Sequence, residues 1–133
     1  MSHTFHMTDT IGDFMISTLA NEETGYYETA GFRIIHGECG EKSRLTEKKV
    51  FGTTESINAA IQIHDDAIDF IMRHGRLPVR VRERMWECFD TMLPSEYPKM
   101  GDWFETGCWS GRVTDVSESQ EDCSYVVYIA VYD

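Results

Sequence analysis

The segment Thr53 to Gly75, TTESINAAIQIHDDAIDFIMRHG, constrains the fold more than any other, because one secondary structure accounts for all of its residues. At about 100° per residue, Ile57, Ala60, Ile61, Ile68, Ile71 and Met72 fall on one side, and Ala59, Ile63, Ala67 and Phe70 widen it. The apolar arc covers roughly 220°, wider than the stripe of a helix lying on a surface. Asn58, Gln62, Asp65, Asp66, Asp69 and Arg73 are left for water. The pattern predicts a central helix with Thr53 and Thr54 as N-caps, Glu55 at the positive end of the dipole and Gly75 as the left-handed stop. His64 alone breaks it, lying in the middle of the apolar arc.

Upstream, Thr10 to Ala20 has Ile11, Phe14, Met15 and Leu19 at helical spacing behind Thr10 and Asp13, which resemble a capping box, and predicts a first helix. Tyr26 to Ile35 and Ser43 to Phe51 read as a hairpin of two strands, with Gly31 at a bulge. Downstream of the central helix, Pro78 opens a further helix in which Val81, Met85, Cys88, Phe89 and Met92 share one face down to Pro94. A second hairpin follows, from Asp102 to Val116 and from Cys123 to Tyr132. The stretch CSYVVYIAVY is apolar on both faces and must be an inner strand, since exposed on an edge it would aggregate. The resulting order is α-β-β-α-α-β-β in one domain over residues 1–133. It predicts an α+β fold: a four-stranded antiparallel sheet made of two hairpins, packed against a central helix pair, with an N-terminal helix.

Charge is the strongest functional signal. Twenty-three acidic against twelve basic residues give −11 at pH 7, which disfavours direct binding to nucleic acid through a broad basic face. The distribution is uneven. Residues 1–32 carry no Lys or Arg, and residues 85–133 hold Lys99 and Arg112 as their only cations, whereas Arg73, Arg76, Arg80, Arg82 and Arg84 crowd into twelve positions. Two poles of opposite sign favour electrostatic association with a partner.

The opening MSHTFHMTDT lacks the cationic and apolar regions of a signal peptide, and no apolar run reaches the length of a membrane span. Cys39, Cys88, Cys108 and Cys123 form no close pair, so a cytoplasmic protein with unbridged thiols is expected.

Catalytic and metal motifs are weak. His64-Asp65-Asp66 looks like part of a metal site, but the helical projection sends His64 into the core and Asp65 to water. His36 and Cys39 form only one ligand pair where structural zinc uses two. No nucleophile elbow or phosphate loop is present, and no cofactor or metal is expected. The surface residues with the right chemistry for a protein partner are Trp103 and Trp109 among Asp102 and Glu105, together with the carboxylates Asp115, Glu118, Glu121 and Asp122. They suggest a non-enzymatic acidic protein that binds a partner having a basic or nucleic-acid-binding surface, in the manner of the small acidic inhibitors of phages and mobile elements. Two alternatives stand beside it. One is a small enzyme or ligand-binding domain with a pocket near His64, and the other is a structural or dimerising subunit.

Overall fold

A computed structural model describes residues 6–88, 97–119 and 124–133. It contains β1 (His6–Ile11), β2 (Phe14–Asn21), β3 (Tyr26–Ile35), β4 (Arg44–Thr54), α1 (Ile57–His74), β5 (Val81–Cys88), β6 (Trp103–Glu105), β7 (Ser110–Ser119) and β8 (Ser124–Tyr132). The strands form two antiparallel four-stranded sheets, ordered β1-β2-β3-β4 and β5-β8-β7-β6. The protein is therefore mostly β, and α1 is the only helix among the described residues. The expected single sheet, helix pair and N-terminal helix are all absent from this part of the chain.

Both misassigned helices have a physical reason. The stretch from Thr10 to Ala20 is a tight hairpin whose two-residue loop is Gly12-Asp13. Gly12 has φ 58° and Asp13 keeps a negative φ, the combination that matches the twist of paired strands. Across it Ile11 pairs with Phe14 and Asp9 with Ile16. Local spacing is overridden by pairing, because β3 covers the other edge of β2. Residues 81–88, VRERMWEC, show no strict alternation, but they pair residue for residue with β8 from Val81 opposite Tyr132 to Cys88 opposite Tyr125, and that long-range pairing decides their conformation. The rest of that expected helix, residues 89–94, lies outside the described residues.

The central helix is real and contains the whole apolar pattern, but it begins later than Thr53. Thr53 and Thr54 belong to β4, and Ser56 is the N-cap, its Oγ accepting the Ala59 N–H at 3.2 Å. Gly75 closes the helix with φ 66° and donates its N–H to the Ile71 carbonyl. Ala59, Ala60, Ile63, His64, Ala67, Phe70 and Ile71 are buried, while Ile57 and Met72 at the margins of the arc are exposed. The helix lies across the first sheet, and its opposite flank reaches β7.

Two apolar cores result. Ile16, Phe51, Ile63, Ala67, Phe70, Ile71 and Leu77 join α1 to the first sheet. Val113, Val127, Ile129 and Val131 form the other on the second sheet, with Phe104 and Trp109 against them. The strand read as an inner one is β8, between β5 and β7. Its two apolar faces serve both cores, since Tyr132 meets Phe51 edge-on at 5.1 Å and Phe70 at 6.0 Å. The register of β3 on β4 shifts at Gly31/Arg33. A Cβ on Gly31 would lie 2.7 Å from the Phe51 ring, so this position admits no larger residue without displacing the core.

Candidate functional site

Residues 64 and 66 of α1 project about 200° apart, and so the helix presents one polar group to each sheet. Towards the first sheet, His64 is fully buried. Its Nε2 lies 2.7 Å from Asp9 Oδ2 and its Nδ1 2.8 Å from Thr18 Oγ1, which in turn sits 2.6 Å from Thr29 Oγ1. With Asp9 ionised, Nε2–H donates to the carboxylate. In the Nε2–H tautomer Nδ1 accepts a hydrogen bond from the Thr18 hydroxyl, which leaves the Thr29 hydroxyl to donate to Thr18. The chain of groups has the order of a general-base relay, yet Thr18 and Thr29 are as buried as His64 and no substrate reaches their oxygens in this structure. Only Asp9, half exposed, touches solvent.

Towards the second sheet the arrangement is more open. Asp66 receives a two-pronged bond from Arg112, Nε to Oδ2 at 2.8 Å and Nη2 to Oδ1 at 2.6 Å. Arg112 Nη1 also donates to the Gly101 carbonyl at 3.0 Å, and the guanidinium carbon stands 5.1 Å from the centre of the Trp103 ring. The bond to Asp66 raises the pKa of Arg112, with desolvation opposing it. Gly101 makes the arrangement possible: at φ 94° it packs its loop on the helix, where a Cβ would meet Ala59 Cα at 3.3 Å.

The cleft between α1 and this sheet has a volume of about 210 Å³. Asp69, ion-paired with Arg73 at 2.9 Å, borders it, as do His74, Trp103 and Tyr132. Among the described residues the buried Tyr132 hydroxyl has no hydrogen-bond partner, and burial pushes its pKa far up.

The residues singled out in the sequence do not form one patch. Asp102, Trp103 and Glu105 gather at the cleft mouth. Asp102 Oδ2 accepts the Lys99 N–H at 2.8 Å, and Glu105 Oε1 accepts the Trp103 indole N–H at 3.1 Å. Trp109 belongs to the other face of the sheet, in an aromatic cluster with Trp86 and Phe104. Asp115 is half-buried, its Oδ1 accepting the Val116 N–H. Its charge and, more strongly, a bond to Glu55 raise the pKa of Tyr26. Glu118 is exposed, opposite Tyr125 near the far end of β7. Glu121 and Asp122 lie outside the described residues.

Sequence reasoning missed Asp66, Arg112 and Tyr132 as a group. One signal was available: Arg112 is the only cation after Lys99, embedded in a β-prone stretch where an unpaired charge would be costly. His36, considered as a zinc ligand, pairs instead with Asp13 at 3.0 Å. Among the described residues no three His, Cys, Asp or Glu side chains are grouped to hold a metal. No described helix is long and apolar enough to cross a membrane. No protein-family model, curated protein or solved structure matches the chain.

Proposed function

We propose that the chain is a non-enzymatic acidic protein that binds a basic segment of a protein partner at the cleft mouth around Trp103, and so occludes a surface the partner uses on nucleic acid. One observation carries the reading. Trp103, 46% exposed, stands among Asp66, Asp69, Asp102 and Glu105, with its indole N–H held by Glu105 and Arg112 beside its ring. Arg112 is committed to Asp66 and Arg73 to Asp69, so Asp102 and Glu105, which form no ion pair among the described residues, supply negative charge beside an aromatic surface. A Lys or Arg arriving from a partner gains a carboxylate and a stacking contact together. The net charge of −11 steers such a partner from a distance. An intracellular setting suits this role, because the exposed Cys39 and Cys108 are unbridged, a state that a reducing compartment maintains.

A Lys/Arg-rich peptide titrated into the protein, followed by tryptophan fluorescence and calorimetry, tests the reading. Saturable binding that weakens at least tenfold between about 50 and 200 mM salt is expected, with a further loss in Trp103→Ala and Glu105→Gln. A Glu118→Gln/Glu121→Gln/Asp122→Asn variant measures what the distal acids add. Salt-insensitive binding, or binding unchanged in both the cleft-mouth and the distal variants, sinks the proposal.

A further inference from the structure

A second cleft, of about 430 Å³, opens where the β3–β4 pair meets the corner between α1 and β5. Its floor is apolar, made by Phe14, the buried Leu77 and the buried Pro78. Its walls carry four cations, Arg33, Lys48, Lys49 and Arg76, against one carboxylate, Glu47. This concentration of positive charge stands out in a chain of net charge −11.

The backbone is shaped to produce it. In a regular strand, consecutive side chains point to opposite faces. Between the pairs Gly31–Lys49 and Arg33–Thr46, β4 has one residue more than β3, and Glu47 takes up the excess with φ 55°, a conformation that costs a non-glycine residue energy. The bulge brings Lys48 and Lys49 to the same cleft although they are neighbours in sequence.

The cations are also incompletely neutralised. Lys48 meets Glu28 at 3.1 Å, and Arg33 reaches Glu47 only at 4.0 Å, with both of these groups about half exposed. Lys49 Nζ donates to the Val79 carbonyl at 2.9 Å. Arg76 donates to the main-chain oxygens of Leu77 and Asp133 and lies over the Phe70 ring at 5.4 Å. Among the described residues, neither Lys49 nor Arg76 is paired with a side-chain carboxylate. The neutral carbonyls of Val79 and Leu77 orient these two groups without neutralising them.

We infer that this cleft binds a small organic anion, a phosphate or carboxylate carried on an apolar body. Lys49 and Arg76 take the anionic group, Arg33 and Lys48 strengthen the field around it, and the body rests on Phe14, Leu77 and Pro78. A long polyanion is disfavoured, because the rest of the chain repels it while one cleft attracts it.

Backbone-amide NMR titration of the whole protein at low salt, with phenyl phosphate, benzoate, inorganic phosphate and phenol as separate probes, tests the inference. Saturable shifts at the amides of Lys48, Lys49 and Leu77 are expected with phenyl phosphate or benzoate, and the stronger of the two identifies the anionic group. Inorganic phosphate should bind about tenfold more weakly than phenyl phosphate for want of the apolar contact. Lys49→Met and Arg76→Met should each weaken binding fivefold or more. Arg33→Gln, a change at an exposed side chain, gives a smaller loss in a fold left intact should either of the first two variants unfold. Absence of saturable shifts at these amides, binding of phenol as tight as that of phenyl phosphate, affinity unchanged in the folded variants, or tighter binding of a DNA duplex at the same amides overturns it.

Discussion

His64 and Asp66 sit two residues apart on one helix and both lie against a sheet, yet their surroundings solve the problem of a polar group in a core differently. Around His64 every ring nitrogen and both threonine hydroxyls have partners, and solvent is met only at Asp9. Around Asp66 the partner is a full charge, the pair is 14–16% exposed, and the neighbouring Tyr132 hydroxyl has no partner among the described residues. The first arrangement is closed and self-sufficient, which suits a structural pin. The second is incomplete and borders a cleft, which suits a surface that meets another molecule.

Removing the pin breaks the comparison most directly. His64→Ala empties a fully buried site and strands Thr18 and Asp9, so a loss of about 3–4 kcal/mol in urea unfolding is expected. Thr18→Val, nearly isosteric, removes one link and should cost about 1–3 kcal/mol. On the other side of the helix, Arg112→Met leaves Asp66 without its partner, with an expected loss of about 2–3 kcal/mol. Replacing both, Asp66→Leu with Arg112→Met, should recover a large part of that loss. A double mutant as unstable as the two single losses added together would show that the pair is not coupled.

Tyr132→Phe is the sharpest test of incompleteness. It deletes a hydroxyl that has no partner among the described residues, so stability at pH 7 should stay within about 1 kcal/mol of the parent or rise. The pH dependence follows from the raised pKa. The folded state holds the phenol proton more tightly than the unfolded state, so this group's contribution is constant below its ordinary value near 10 and falls as pH rises above it. The Phe variant should lose that alkaline decline, and an unchanged decline would place the ionisation elsewhere.

Asp133 supplies a solvated reference for both sites. Bonds from Arg80 and Arg82 hold its carboxyl below the usual range, so its contribution is present above the unfolded value near 3.8 and is lost as pH falls through the lower folded value. Asp133→Asn should lower the melting temperature by roughly a degree or two at neutral pH, with the difference from the parent vanishing in strong acid.

Much of the scaffold was legible where one period dominated. The middle of α1, the β3–β4 hairpin and the inner position of β8 follow from residue pattern alone. The segments Thr10–Ala20 and Pro78–Pro94 were not legible in the same way, because a few apolar residues at spacings of three and four suggested a helix where pairing with distant strands decides the conformation. Gly12 was the discriminating detail in the first, whereas in the second only the pairing of residues 81–88 with β8 decides, and no local pattern in VRERMW announces it. The functional surfaces divide similarly. Asp102, Trp103 and Glu105 are neighbours in sequence and stay together. Asp66 and Arg112 are 46 residues apart, and no local rule joins them. The basic cleft was half legible: Arg76 belonged to a visible cationic run, but only the bulge in β4 adds Lys48 and Lys49 to it.

The strand order of the second sheet also has a consequence for assembly. The β1–β4 meander pairs neighbours in sequence, and α1 follows at once to cover it, so this half can form while the chain is still being made. The second sheet must wait for β8, because β5 and β7 both pair with it and not with each other. Until Ser124–Tyr132 leaves the ribosome, Met85 and Trp86 on β5 have no sheet to join. The nascent chain therefore passes through a stage in which one half is built while β5, with charged residues at four of its eight positions, still lacks its partner strand.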